Sequence, residues 1–213
     1  MRYLLLLSLL FTAPLLRAQH RFEAEIAAFE SADKATPPPA RPILFTGSSS
    51  VRFWTTLAQD FPNKPVLNRG FGGSELSDVR HFADRLIVAY HPRQIVLYAG
   101  ENDIAAGQSA GQTLARFTEL FTYVRQQLPR VPFTFISIKR SPSRRQYWPV
   151  VDEANQLIRQ YLATQKRARF VDIGPAMLDA SGQLQGSLFK SDSLHMTPAG
   201  YDRWVPVLRP YLR

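Results

Sequence analysis

The 213-residue chain contains no cysteine. Without a thiol it can form no disulfide, hold no thiolate zinc site, use no cysteine nucleophile and carry no lipid on cysteine. Glycine is scarce at 11 residues, and with 45% hydrophobic and 20% charged residues the composition excludes a collagenous, disordered or disulfide-framework chain. Acidic residues are outnumbered, 17 against 26 Lys and Arg, for a formal charge of +9. Such an excess ordinarily points to nucleic acid or anionic lipid. No internal repeat is visible, and the length suits one domain with a substantial core.

The apolar run at residues 4–16 is interrupted by Pro14 and ends at Arg17. It falls short of the roughly 18 apolar residues that span a bilayer. With Arg2 before it and the small Ala18 after it, segment 1–18 reads as a secretory signal peptide cleaved before Gln19. The expected location is periplasmic or extracellular, with no stable membrane insertion after cleavage. Losing Arg2 and Arg17 leaves 24 basic residues against 17 acidic, a charge of +7. An exported protein meets little nucleic acid, so none is expected as partner.

Phe22, Ile26 and Phe29 recur at helical spacing before Pro37-Pro38-Pro39, so residues 19–40 read as a lead-in helix and a stiff link. From Ile43 a βα rhythm takes over and fills 41–213. Strands are expected at 43–46, 65–68, 94–98, 133–138 and 169–173, with helices at 51–60, 75–90, 110–128, 147–164 and after Thr197. Five strands alternating with helices imply a parallel five-stranded sheet inside a three-layer α/β/α sandwich. Its ligand site should lie at the carboxyl ends of the strands.

The loops at those ends carry chemistry. The first offers Gly47-Ser48-Ser49-Ser50, the second Asn68-Arg69-Gly70-Phe71-Gly72-Gly73 and the third Gly100-Glu101-Asn102-Asp103. Hydroxyls at a helix start, glycines that let backbone N–H groups approach a ligand, and a side-chain amide together supply a nucleophile and oxyanion donors for acyl transfer. A serine needs a base, and the base needs a partner to hold its tautomer. Asp192-Ser193-Leu194-His195, after the fifth strand, presents a carboxylate and an imidazole three residues apart. Taken singly, a serine-rich turn is ordinarily a helix cap and a glycine pair a turn. Val51 replaces the second glycine of a Gly-x-Ser-x-Gly elbow, which counts against an α/β-hydrolase.

These four blocks, in this order, resemble the SGNH hydrolases, or GDSL-type esterases and lipases, over residues 41–212. The resemblance implies a flavodoxin-like fold, Ser49 as nucleophile, His195 as general base and Asp192 as its orienting carboxylate. The Ser49 and Gly73 backbone N–H groups and the Asn102 amide would form the oxyanion hole. It implies a serine esterase acting on short-acyl or acetyl esters, some borne on carbohydrate, without cofactor or metal. A lysophospholipase or thioesterase would use the same residues, and a non-catalytic phosphate- or glycan-binding module would keep the fold alone. Ser48 stands where the family has aspartate, and Ser50 where it has an aliphatic residue.

Glu101 and Asp103 read as structural rather than metal-binding, Asp103 as a cap on the turn or helix that follows. His20, His81 and His91 lack an acidic partner at a telling spacing. In the basic segment 139–145, Arg140, Arg144 and Arg145 are the candidates for drawing in an anionic substrate. Phe53, Trp54, Tyr147 and Trp148 are candidates for lining an acyl or sugar site or for the core.

Overall fold

The computed structural model describes residues 20–213. The expected export signal at 1–18 lies outside the described residues. The elements run α1 (Glu23–Ala35), β1 (Ile43–Gly47), α2 (Ser49–Arg52), α3 (Leu57–Asp60), β2 (Val66–Gly70), α4 (Leu76–His81), α5 (Ala83–Leu86) and β3 (Gln94–Tyr98). They continue with α6 (Glu101–Ala105), α7 (Ala110–Gln127), β4 (Phe133–Ile136), α8 (Trp148–Ala163), β5 (Ala168–Val171) and α9 (Pro198–Leu208). All five strands are parallel, in the order β2-β1-β3-β4-β5. Connections leave in opposite directions from β1, which opens a crevice at the carboxyl ends of β1 and β3. The register levels those ends: Gly47 of β1 faces Gly70 of β2 and Tyr98 of β3.

Alternation along the strands sends side chains into two cores. Leu44, Ile95, Leu97, Phe133 and Phe135 pack with α4, α5, α7 and α8. Ile43, Phe45, Val96, Tyr98 and Ile136 pack on the other face with α2, α3 and α9. Both faces are therefore dry, as parallel strands require. The lead-in helix α1 joins the first core through Ile26. It is also pinned by ion pairs from Glu23 and Glu30 to Arg85 and from Asp33 to Arg69.

Several elements depart from expectation for identifiable reasons. The helix expected at 51–60 is two short ones, because Asn68 of β2 donates to the carbonyls of Val51 (2.7 Å) and Trp54 (3.3 Å) at the break. The one expected at 75–90 breaks at Phe82, and the segment ends at His91, whose φ of +43° precedes Pro92. The fourth strand stops at Ile136 because Asn155 of α8 takes over the backbone of Ile138, bonding both its N–H and its carbonyl at 2.8 Å. His20 stacks on His81 at 4.5 Å and lies 3.3 Å from Asp78, so it has the acidic partner that spacing did not suggest.

Candidate active site

β1 turns into α2 through Gly47, at φ +118°, where a Cβ would stand 1.9 Å from the Tyr98 carbonyl oxygen. Only glycine fits there. The turn makes Ser48 the N-cap and Ser49 the first residue of α2. It also separates the three adjacent hydroxyl residues: Ser48 and Ser50 are each 2% exposed, while Ser49 reaches the rim. Ser49 Oγ lies 3.0 Å from His195 Nε2.

His195 comes from the loop between β5 and α9. Its Nδ1 is 2.7 Å from Asp192 Oδ2, while Asp192 Oδ1 accepts the Leu194 and His195 N–H groups, both at 2.9 Å. Ser193 takes φ +55° to close this turn. The His195 side chain first, then the two N–H groups, hold the Asp192 carboxyl well below the usual carboxylate range. The carboxylate thus stays ionised, which the 47% exposure of its side chain also favours. Phe53 meets the imidazole edge-on at 4.8 Å, and the Tyr201 hydroxyl donates to the Ser50 carbonyl at 3.0 Å. That last bond ties α9 to α2.

The second and third loops carry Gly73 and Asn102. Gly73 has φ +75° and open space where a Cβ would project, so its backbone conformation, not crowding, calls for glycine. Asn102 donates through Nδ2 to the Ser74 carbonyl at 3.0 Å, joining the second and third loops. Asp103 reinforces the joint. Fully buried, it accepts the Leu76 N–H at 3.0 Å and Arg116 at 2.9 Å, so it caps the preceding helix α4 rather than the following one. Burial pushes its carboxyl up, with Arg116 and Leu76 opposing.

Glu101 and Lys139, 5% and 1% exposed, form an ion pair at 2.5 Å beneath this joint. The Glu101 carboxylate also accepts the Tyr98 hydroxyl at 2.7 Å and the Ser141 hydroxyl. Burial alone would raise its pKa, but the charges of Lys139 and Arg144 overturn that and hold it down. Lys139, the first residue of the basic segment 139–145, is an interior residue. Its signal was its place directly after a buried strand.

The three arginines expected to meet substrate do not form one patch. Arg140 pairs with Asp152 and lies 5.2 Å from the Trp148 ring centroid, while exposed Arg145 lies 5.0 Å from the same centroid. Arg144 instead turns inward and donates to Asn102 Oδ1 at 3.0 Å. Among the aromatic candidates Phe53 touches His195, Trp54 is buried in the core, Tyr147 packs on the first core, and the Trp148 indole N–H bonds the Ser141 carbonyl at 3.0 Å. A cavity of about 410 Å³ opens at the same sheet edge between α8 and segment 174–184, but Ser49, Asn102 and His195 do not line it.

A doubly wound parallel sheet with serine, histidine, aspartate and amide at its switch point defines a flavodoxin-like α/β fold carrying groups suited to acyl transfer. Residues 38–203 match the GDSL-like lipase/acylhydrolase family, and the chain belongs to it. No curated protein sequence matches the chain. Among solved structures, a Streptococcus pneumonia protein described in terms of platelet activating factor is 22% identical, with TM-score 0.78 over 89% of this chain and 92% of its own. A GDSL-like lipase from Bacteroides thetaiotaomicron is 18% identical, with TM-score 0.72 over 88% and 97%. An acetyl-xylooligosaccharide esterase from Geobacillus stearothermophilus is 15% identical, with TM-score 0.65 over 81% and 94%. At these identities the likeness is one of fold.

Proposed function

We propose that the protein is an exported serine esterase that removes short acyl groups, acetyl above all, from small or carbohydrate-borne alcohols. The observation that carries this reading is the unbroken hydrogen-bond chain from Ser49 Oγ to His195 Nε2 and from His195 Nδ1 to Asp192 Oδ2. His195 accepts the Ser49 proton as Oγ attacks the ester carbonyl carbon. Asp192 holds the Nδ1 proton in place and stabilises the imidazolium. The Ser49 N–H, at the free-donor end of α2, the Gly73 N–H and Asn102 Nδ2 receive the developing oxyanion. The C–O bond then breaks, the leaving alcohol takes the proton from His195, and an acyl-Ser49 ester remains. Water, deprotonated by the same imidazole, attacks that ester and releases the acid and free Ser49.

The Geobacillus neighbour, an acetyl-xylooligosaccharide esterase, supports the acetyl-sugar preference. Assaying acetylated sugars, aryl esters and lysophospholipids side by side, together with fluorophosphonate labelling, tests the proposal. The expected result is fastest turnover of acetyl esters and a covalent adduct on Ser49. Preferred cleavage of long-chain lysophospholipids would make the protein a lysophospholipase, and absence of both labelling and turnover would make it a binding module. Export is checked by the amino terminus of the secreted protein, expected at Gln19.

A further inference from the structure

We infer that Arg144 is a positioning residue that acts through Asn102, holding its amide in the one orientation that presents an N–H to the oxyanion. This rests on the esterase reading above. Arg144 Nη2 donates to Asn102 Oδ1 at 3.0 Å and Nη1 donates to the Glu101 carbonyl at 3.1 Å. Behind it, the Glu101 carboxylate lies 3.7 Å from the guanidinium.

The opposite face of the Asn102 amide meets the Ser74 carbonyl at 3.0 Å. Turning the amide over would set its NH₂ against the guanidinium, donor against donor, and its oxygen against the Ser74 carbonyl, acceptor against acceptor. The network therefore admits a single orientation. One Nδ2 hydrogen goes to Ser74, which leaves the second for the substrate. A cation on the amide oxygen also draws electron density from the nitrogen and strengthens that remaining donor. The charge balance points the same way. Lys139, Glu101 and Arg144 together carry one net positive charge beside the place where negative charge develops, with Lys139 and Glu101 shielded from water.

Arg144 sits in the short 3₁₀ segment Pro142–Tyr147, at a kink with φ −116° and ψ 29°. The neighbouring Ser143 N–H bonds the Ser193 carbonyl at 3.1 Å. One segment thus touches both the oxyanion donor and the turn that holds His195. The side chain is 20% exposed and directed at protein acceptors, as suits a support rather than a substrate contact.

The test is a double-mutant cycle on aryl acetate hydrolysis with Arg144→Met, Asn102→Ala and the pair. Arg144→Met should lower kcat about ten-fold with KM nearly unchanged, a smaller loss than the roughly hundred-fold or more of deleting the donor itself. In the Asn102→Ala background the Arg144 change should cost almost nothing further. Affinity for phenylboronic acid, which forms a tetrahedral adduct on serine, should fall in parallel with kcat. Arg144→Lys, which returns a single donor, should recover part of kcat and guards against a misfolded methionine variant.

An undiminished Arg144 effect in the Asn102→Ala background would overturn the proposal, as would wild-type kcat in either folded variant. A KM increase confined to anionic esters would make Arg144 a substrate contact instead. If Ser49→Ala inactivates the enzyme while Arg144→Met does not, only this proposal fails. If the wild-type protein hydrolyses no ester, it falls together with the esterase reading.

Discussion

Two polar clusters share the rim of the sheet and are built in opposite ways. The Asp192–His195 turn is partly exposed and organises itself within four residues, the Asp192 carboxylate taking all three of its hydrogen bonds from Leu194 and His195. The cluster of Glu101, Lys139, Ser141 and Arg144 is largely buried, and its bonds to Lys139, Ser141 and Arg144 join residues 38 to 43 positions apart. Under the proposed esterase reading, the contrast follows from what each would do. A reacting pair has to be reached by an ester and by water, so it cannot be sealed. A supporting charge gains strength from low dielectric, but then no partner in it can be missing.

The comparison breaks first at Ser49. Ser49→Ala should reduce aryl acetate turnover by at least about a thousand-fold, while the buried Ser48→Ala and Ser50→Ala variants keep most of it. Turnover retained in Ser49→Ala would remove the exposed cluster from catalysis. Asn102→Ala, which removes the amide that Arg144 holds, should lower kcat about 10²–10³-fold, or roughly 2.7–4 kcal/mol of transition-state stabilisation, and unchanged kcat would separate the buried cluster from catalysis.

The buried cluster should show itself in stability. Lys139→Met strands the Glu101 carboxylate and should cost about 3–5 kcal/mol, measured by urea unfolding, with part of the loss returned by adding Glu101→Gln. Equal losses in the single and double variants would mean that the pair is not coupled. Glu101 also gives an acid signature. Its pKa in the folded protein lies below the 4.5 of an ordinary glutamate, so its stabilisation is complete above that value and disappears as pH falls through the lower folded one. Thermal unfolding of Glu101→Gln should accordingly lose less Tm below pH 4.5 than wild type does. The smallest effect is expected at the exposed Arg140–Asp152 pair. Arg140→Ala should shift stability by less than about 1 kcal/mol and treat acidic and neutral esters alike. A loss confined to acidic esters would make the Trp148 surface a substrate contact.

Much of the fold and the exposed site was legible because both are written locally. The strand expected at 94–98 coincides with β3. Gly47, Ser49 and the Asp192-Ser193-Leu194-His195 spacing announce their turns through residues that are neighbours in sequence. The breaks at Phe53 and Ile138 were not legible, because the side chains that claim their backbone, Asn68 and Asn155, arrive from other elements. The same holds for Lys139 and Arg144, which a charge count groups with Arg140 and Arg145 and which the fold turns inward.

By itself the sequence determined the parallel α/β architecture, the order of the four loop blocks and the three residues able to form a serine, histidine and aspartate chain. These depend on period, turn chemistry and spacing, which act over a few residues. Only the tertiary structure decided which of three adjacent serines is reachable, and which arginine faces solvent and which an amide. It alone placed a buried charge pair under the Asn102 amide. Burial and pairing across some forty residues are properties of the packed sheet, where a charge is admitted only once its partner has been brought beside it.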